Sequence, residues 1–165
     1  YGLAPKQIAS AIESFPGVQH RLEHTGEKNG VHYYNDTTAT IPEAAIAALR
    51  SFVEPVILIA GGSDKRLEFD ALAEEILRRA KGVILFKGEA TEKLLVALKA
   101  HLPEAERGRS FEVVESMAKA VELATRGAEP GDVVLLSPGA ASFGIFKNEF
   151  DRGDQFRKAV QELSR

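Results

Sequence analysis

The sequence has 165 residues, with 21 Lys plus Arg, 24 Asp plus Glu and a formal net charge of −3, so it suits one domain plus a short appendage. No long basic run is present, which argues against nucleic-acid binding. The sequence also contains no apolar run of about 18 residues and no signal peptide, so it gives no indication of a membrane span or of export. Cysteine is absent, which excludes disulfides and thiolate catalysis and leaves the cytoplasm as the expected location.

The N-terminal segment is predicted to be a helix and a connector. Four apolar residues share one helix face: Ile8, Ala11, Ile12 and Phe15. The chain opens on Tyr1 rather than Met, so we expect it to begin inside a longer protein. Residues 1–20 are then the end of a preceding domain with its connector, and residues 21–165 form the domain proper.

A hairpin and then a regular alternation of helix and strand follow in chain order. The turn residues Lys28-Asn29-Gly30 predict a hairpin that returns into Val31-His32-Tyr33-Tyr34. Strands are predicted at 56–60, 83–86, 111–114 and 133–136, with helices around 42–52, 69–80, 94–101, 116–126 and from about 153. The strands are apolar without clean alternation, as in a mostly parallel sheet covered on both faces. The expected fold class is α/β, a Rossmann-like three-layer domain preceded by a short helix from the preceding domain.

The first loop of chemical interest is Asn35-Asp36-Thr37-Thr38-Ala39-Thr40. Asp36 can accept hydrogen bonds from a ribose diol, and Thr40 with the N–H groups of the following helix can hold an anion. Asp and Thr are also common helix caps, so capping alone would explain them equally well. Ile41 stands directly before Pro42 and is a poor cap, which favours ligand binding slightly.

The second loop, Gly61-Gly62-Ser63-Asp64-Lys65-Arg66, directly follows an apolar strand. The two glycines would let a ligand approach the backbone, or they would simply serve a tight turn. Lys65 supplies a point charge suited to a carboxylate or phosphate. The spacing matches neither the Walker A loop nor G-x-G-x-x-G, so this chain has no phosphate loop that supports ATP chemistry by itself.

The third loop begins where strand 133–136 runs into Ser137-Pro138-Gly139-Ala140-Ala141-Ser142-Phe143. Short hydroxyl side chains and free N–H groups then lie beyond the carboxyl end of a buried strand, where α/β sheets bind ligands. Ser142 is not predicted to be a nucleophile, because the segment fails the G-x-S-x-G pattern.

The histidines give no indication of a metal site. None of the four shows a recognised ligand spacing, which predicts solvated or packed rings: His20, His24, His32 and His101.

Taken in order and spacing, four segments resemble the C-terminal third of the Mur ligases. These segments are His20-Arg21-Leu22-Glu23, Asn35 to Thr40, Gly61 to Lys65, and Leu136-Ser137-Pro138 through Lys147-Asn148 to Arg152-Gly153. The resemblance covers essentially the whole chain. It implies an ATP-dependent amide ligase that adds D-glutamate to UDP-N-acetylmuramoyl-L-alanine through an acyl phosphate in peptidoglycan synthesis.

The resemblance also implies roles for individual residues. D-Glutamate would be held by Thr40, Lys65, Ser142 and Phe143. The nucleotide would be held by Arg21, Asn35 and Asp36. ATP and Mg²⁺ would act in the complete enzyme, whose N-terminal and central domains are missing partners, so this stretch is expected to contain no catalytic or metal-binding residue and to be inactive alone.

Two departures and two alternatives accompany the resemblance. Thr38 stands where many relatives have a lysine, which removes that lysine's phosphate contact, and Asn148-Glu149-Phe150 displaces an aromatic that relatives often place directly after Asn. One alternative is a stand-alone α/β domain that binds an acidic metabolite or a nucleotide. The other is a sibling ligase similar to folylpolyglutamate synthase, with the same chemistry on L-glutamate.

Overall fold

A computed structural model describes residues 2–106 and 110–163 of the chain. The strands within these residues are β1 Glu23–Lys28, β2 Val31–Asn35, β3 Val56–Gly61, β4 Ala80–Phe86, β5 Glu112–Val114 and β6 Val133–Leu136. The α-helices are α1 Pro5–Glu13, α2 Pro42–Arg50, α3 Asp70–Arg79, α4 Glu89–His101, α5 Met117–Gly127 and α6 Glu149–Glu162.

The strands form one sheet in the order β1-β2-β6-β3-β4-β5, and only the β1–β2 pair is antiparallel. The predicted hairpin is confirmed, with Asn29 and Gly30 at its turn. Both have positive φ, of 53° and 78°, as a type I′ turn requires. The fully buried pattern of β3 and β6 agrees with the apolar runs from which the parallel sheet was predicted.

Helices cover both faces of the sheet and produce the predicted three-layer α/β fold. On one face, α2, α3 and α4 pack through small and branched side chains such as Ala45, Leu72 and Leu94. On the other face, α5 and α6 pack through residues such as Val121 and Phe156. Burial of both sheet faces supplies the main hydrophobic stabilisation, since each large side chain removed from water contributes about 1.5–3 kcal/mol.

Two of the boundaries that differ from the prediction have identifiable local reasons. The last helix begins at Glu149 rather than near Gly153, because the Asn148 side chain accepts a hydrogen bond from Asp151 N at 2.8 Å and caps the helix there. Ala80, which was predicted to end a helix, is instead the first residue of β4 and pairs with Val56.

Helix α1 stands apart from the core. It buries no residue, and every described residue before His20 is exposed. The proposed division at residue 20 remains a prediction. No helix in the described ranges has both the length and the apolar character needed to cross a bilayer.

Candidate functional site

The three polar loops follow three neighbouring strands of the sheet. β6 lies between β2 and β3, and all three strands run parallel, so their carboxyl ends meet at one edge. The loop after β2 leads to α2 on one face, whereas the loop after β6 leads to α6 on the other. Neighbouring loops that leave to opposite faces open a crevice, and α/β sheets bind ligands in such a crevice.

The loop after β6 is hydrogen bonded to both of its neighbours. Towards β3, Gly61 N donates to Pro138 O at 2.8 Å, and Ser63 exchanges two backbone bonds with Ala141. Towards β2, Gly139 N donates to Ala39 O at 2.9 Å. The three loops therefore form one connected layer rather than three independent ones.

The glycine pair after β3 is explained by packing inside the protein. A Cβ atom on Gly61 would lie 2.3 Å from Thr91 Oγ1, and one on Gly62 would lie 2.3 Å from the Ala141 carbonyl oxygen. Both residues also have positive φ, which other residues adopt only with strain. The close contacts are thus with helix α4 at Gly61 and with the loop after β6 at Gly62, and the glycines need no ligand to account for them.

Asp36 is buried at the end of β2 and hydrogen bonded on both oxygens. Oδ1 accepts from Leu22 N at 3.2 Å, and Oδ2 accepts from Ser137 Oγ at 2.8 Å. Burial raises the pKa of this carboxyl, while the Ser137 and Leu22 bonds and the charge of Arg21 oppose that rise. A carboxylate offers about four lone pairs, so Asp36 keeps acceptor capacity after its two internal bonds.

Arg21 and Asp36 share a small cavity of about 180 Å³ against α2. The rest of the lining is apolar or small and includes Leu22, Ala39 and Ala48. A mainly apolar cavity whose lining includes one carboxylate and one guanidinium suits a ligand that carries hydroxyl groups and a negative charge.

Asn35 differs from its neighbour because its side chain is fully committed within the protein. Its Oδ1 accepts from Thr37 N at 3.2 Å, and its Nδ2 lies 3.0 Å from His20 Nδ1 and 3.3 Å from Glu23 Oε2. The side chain has no solvent exposure. In this structure Asn35 shapes the loop, and its suggested contact with a nucleotide stays a prediction.

Capping does not explain Thr40 or Asp36. The N-cap of α2 is Ile41, and no side chain accepts a hydrogen bond there. Thr40 is half buried, and its hydroxyl has no partner among the described residues. Pro42 has no N–H, and Ala44 N and Ala45 N donate to Ile41 O, so the α2 N-terminus offers the Glu43 N–H and the adjacent Thr40 hydroxyl.

Lys65 is exposed on the loop after β3 and forms no ion pair with the part of the chain that is described. Its neighbour Asp64 behaves differently, pairing with Lys93 at 2.7 Å and accepting from Leu67 N at 3.1 Å. These bonds hold the pKa of Asp64 below its usual range. Asp64 therefore fixes the loop and leaves the Lys65 ammonium free for a ligand.

Ser142 and Phe143 lie on the far side of the crevice. The Ser142 side chain is buried, yet its hydroxyl bonds to none of the described groups. The Phe143 ring is 60% exposed, while its carbonyl accepts a hydrogen bond from Ser63 Oγ. Beside them opens a groove of about 600 Å³ that is also lined by Gly88 and Glu115.

Arg152 lies beneath the loops, and the sequence reasoning gave it no role. It is completely buried and forms no ion pair with a carboxylate of the described residues. Its guanidinium donates to Thr37 Oγ1 at 3.0 Å, to Thr37 O at 2.9 Å and to Ala140 O at 3.2 Å. Burial lowers the pKa of Arg152 to about 10, so it stays charged at neutral pH and joins the loops after β2 and β6.

The described residues contain no group of three or more His, Cys, Asp or Glu side chains able to enclose a metal ion. The three loops are hydrogen bonded to one another and carry the exposed Lys65 side chain together with the Thr40 and Ser142 hydroxyls. Such donors at the carboxyl ends of parallel strands are suited to binding a small anionic molecule.

Comparison with known proteins places this domain in a family. The family model for the Mur ligase glutamate ligase domain matches residues 20–139. The chain therefore belongs to the Mur ligase family.

Two curated relatives share sequence along nearly the whole chain. The UDP-N-acetylmuramoylalanine--D-glutamate ligase of Roseiflexus sp. (strain RS-1) is 53% identical over 99% of this chain and 34% of its own length. The ligase of the same name from Caldanaerobacter subterraneus subsp. tengcongensis is 39% identical over 99% of this chain and 36% of its own length. The chain thus spans about a third of the length of these curated relatives.

Among solved structures, the MurF ligase of Thermotoga maritima in complex with ADP is similar in fold and sequence. It superposes with a TM-score of 0.52 at 26% identity, covering 91% of this chain and 33% of the ligase.

Proposed function

We propose that this chain is the C-terminal domain of a longer ATP-dependent ligase that joins D-glutamate to UDP-N-acetylmuramoyl-L-alanine in the cytoplasm. The observation that supports this most directly is that Lys65, exposed and without an ion pair among the described residues, lies on one of three adjoining loops that also carry the Thr40 and Ser142 hydroxyls. D-Glutamate carries two carboxylates, which such donors bind well. The names of the 53% and 39% identical relatives support the same assignment.

The proposed reaction needs an amino acid that is held by its carboxylates with its amine free. Lys65 would form a charge-assisted hydrogen bond to one carboxylate, and Thr40 and Ser142 would donate to the amino acid from either side. Phe143 would cover the ligand and help to exclude water from the reactive acyl phosphate. The free amine would then attack the acyl carbon, so that the amide bond forms as the bond to the phosphate breaks, inorganic phosphate leaves and the amine loses a proton. The fixed orientation of the amino acid lowers the entropic barrier to this attack.

Part of the nucleotide would bind at the cavity beside Arg21 and Asp36. The residues there fit such a ligand, because Asp36 retains acceptor lone pairs for ribose hydroxyls and Arg21 can contact phosphate oxygens. No group of three or more potential ligand side chains encloses a metal ion in the described part of the chain, and we assign Mg²⁺ no ligand here. ATP would supply the phosphoryl group that activates the acceptor carboxylate, and Mg²⁺ would act with it in the complete enzyme. The chain alone is accordingly predicted not to hydrolyse ATP.

Phosphate release by the complete protein tests the proposal. Mg-ATP and UDP-N-acetylmuramoyl-L-alanine are supplied, and D-glutamate or L-glutamate is added in turn. Release that requires D-glutamate is the expected result. Dependence on L-glutamate would favour a folylpolyglutamate-synthase-like ligase, and no release with either would favour a binding domain without catalysis.

A single substitution tests the amino-acid site. Lys65→Ala should raise the KM for D-glutamate about 10- to 100-fold, because it removes a charged hydrogen bond of roughly 1.5–3 kcal/mol. The KM for ATP should stay the same. The matched control is Lys158→Ala on the surface of α6, where the lysine lies 4.0 Å from Glu162. Equal glutamate KM values in the two variants would remove Lys65 from the site.

A further inference from the structure

Two histidines are diagonal neighbours on the β1–β2 hairpin, where His24 pairs with Tyr34 and His32 pairs with Glu27. His24 Nε2 and His32 Nδ1 are 3.4 Å apart, and the ring centroids are separated by 5.6 Å. His32 is the second residue of β2, whereas the crevice begins at the opposite end of that strand. The pair is therefore separate from the proposed ligase site.

The spacing of the two nitrogens suits one metal ion. Zinc–imidazole bonds of about 2.05 Å that span this gap would enclose an angle of roughly 112°, close to the tetrahedral value of about 109°. We propose that His24 and His32 form a two-histidine site for a late first-row divalent cation such as Zn²⁺. The cation would take the place of the hydrogen that His24 Nε2 and His32 Nδ1 share in their hydrogen bond.

The surroundings of the pair favour a cation and restrain the rings. The Glu27 carboxylate lies 3.9 Å from His32 Nδ1 and adds negative charge next to the site. The His24 ring packs on Tyr34 at a centroid distance of 5.0 Å, and Tyr34 packs on Phe52 at 4.8 Å. A ring already held in place loses less rotational freedom when it binds a metal.

The site is open and exchangeable rather than a closed structural centre. No third ligand completes it within the described ranges, so water fills the remaining positions. The sequence contains no cysteine, so no thiolate of this chain competes for the cation. Affinity should follow the order Cu²⁺ above Zn²⁺ and Zn²⁺ above Mn²⁺, as expected for imidazole donors. The eight-residue separation crosses a hairpin, and for that reason no local ligand motif appears in the sequence.

Calorimetric titration of the full-length protein with ZnCl₂ tests this inference. His24→Gln and His32→Gln should each weaken zinc binding at least about tenfold, because the second imidazole acts as an intramolecular ligand. His101→Gln is the matched control. Its ring faces Asp70 at 3.3 Å through Nε2 and Glu74 at 3.5 Å through Nδ1, so these carboxylates lie on different ring nitrogens. The control should bind zinc like the unaltered protein.

Thermal unfolding gives an independent measurement on the same proteins. Zinc should raise the Tm of the unaltered protein and of His101→Gln, because it binds the folded hairpin, and chelation with EDTA should reverse the rise. His24→Gln and His32→Gln should show no comparable rise. Zinc affinity and Tm shifts that are unchanged in both hairpin variants would overturn the inference, whatever other zinc sites the full-length protein holds.

Discussion

Gly153→Ala should destabilise the protein, although alanine is the better helix former. Gly153 lies inside α6, where its lack of a side chain leaves room for the residues below it. An added Cβ would lie 2.4 Å from His20 Nδ1 and 2.6 Å from Thr37 Cγ2. Both distances are far below van der Waals contact, so a neighbour must move.

The size of the effect follows from two opposing contributions. Replacing glycine with alanine in a helix favours folding by about 1 kcal/mol. Overpacking a core costs about 1–3 kcal/mol, and here the upper end applies because His20 is buried and contacts Asn35. The net loss is about 2 kcal/mol, which corresponds to a Tm lower by roughly 4–8 °C for a domain of this size.

The difference in unfolding free energy can be measured by urea unfolding of the chain, with circular dichroism as the signal. The matched control is Gly127→Ala in α5, where the added Cβ would lie 3.6 Å from Ile57 Cδ1, an ordinary contact. That variant should be neutral or up to about 1 kcal/mol more stable. If Gly153→Ala were as stable as the control, the His20 ring would be able to move aside without any loss of stability, and the packing argument would be wrong.

Three further substitutions test other parts of the structure. Glu75 is buried among three arginines of α2 and α3, which lower its pKa to about 2 from 4.5. Glu75→Gln should therefore lower the free energy of unfolding by about 2 kcal/mol at pH 7, a value reduced because water screens the arginines. This difference should disappear as the pH falls from about 4.5 towards 2, where the Glu75 carboxylate becomes protonated. A difference that does not change with pH would contradict the prediction. Arg152→Lys should lower the unfolding free energy by at least about 2 kcal/mol and raise the glutamate KM, because lysine cannot reach Thr37 and Ala140 together. An unchanged glutamate KM in this variant would show that the guanidinium does not position the loops that bind glutamate. Asp36→Asn should raise the KM for ATP but not for D-glutamate, and steady-state kinetics that show the reverse would move Asp36 out of the nucleotide site.

Much of the fold could be predicted because it depends on local patterns. Apolar runs such as Val56–Gly61 carry the signal of a strand buried on both faces, and Asn29-Gly30 carries that of a tight hairpin. The loops after β3 and β6 were located correctly because each follows such a strand, and the loop after β2 because it follows the second strand of the hairpin. Ile41, as a poor cap, also correctly indicated that α2 begins without a side-chain cap.

The remaining features depend on contacts between distant residues. No local pattern says that β6 inserts between β2 and β3, and therefore none says that the loop with Gly62 presses against Ala141. Arg152 and Arg157 occupy the same helix, yet only Arg152 of the two is completely buried. That difference arises because two loops distant in sequence place the Thr37 and Ala140 carbonyl groups within hydrogen-bond distance of Arg152.

The central position of β6 sets the order in which the protein can be completed during synthesis. The ribosome releases β2 and β3 early, but these strands touch only through β6, which emerges near the end of the chain. Until then the nascent chain holds an isolated hairpin and a three-stranded piece, each with an unpaired edge of the kind that promotes aggregation. Late insertion of β6 joins the hairpin and the three-stranded piece in one step. A chain truncated before Val133 should therefore be insoluble rather than partly functional.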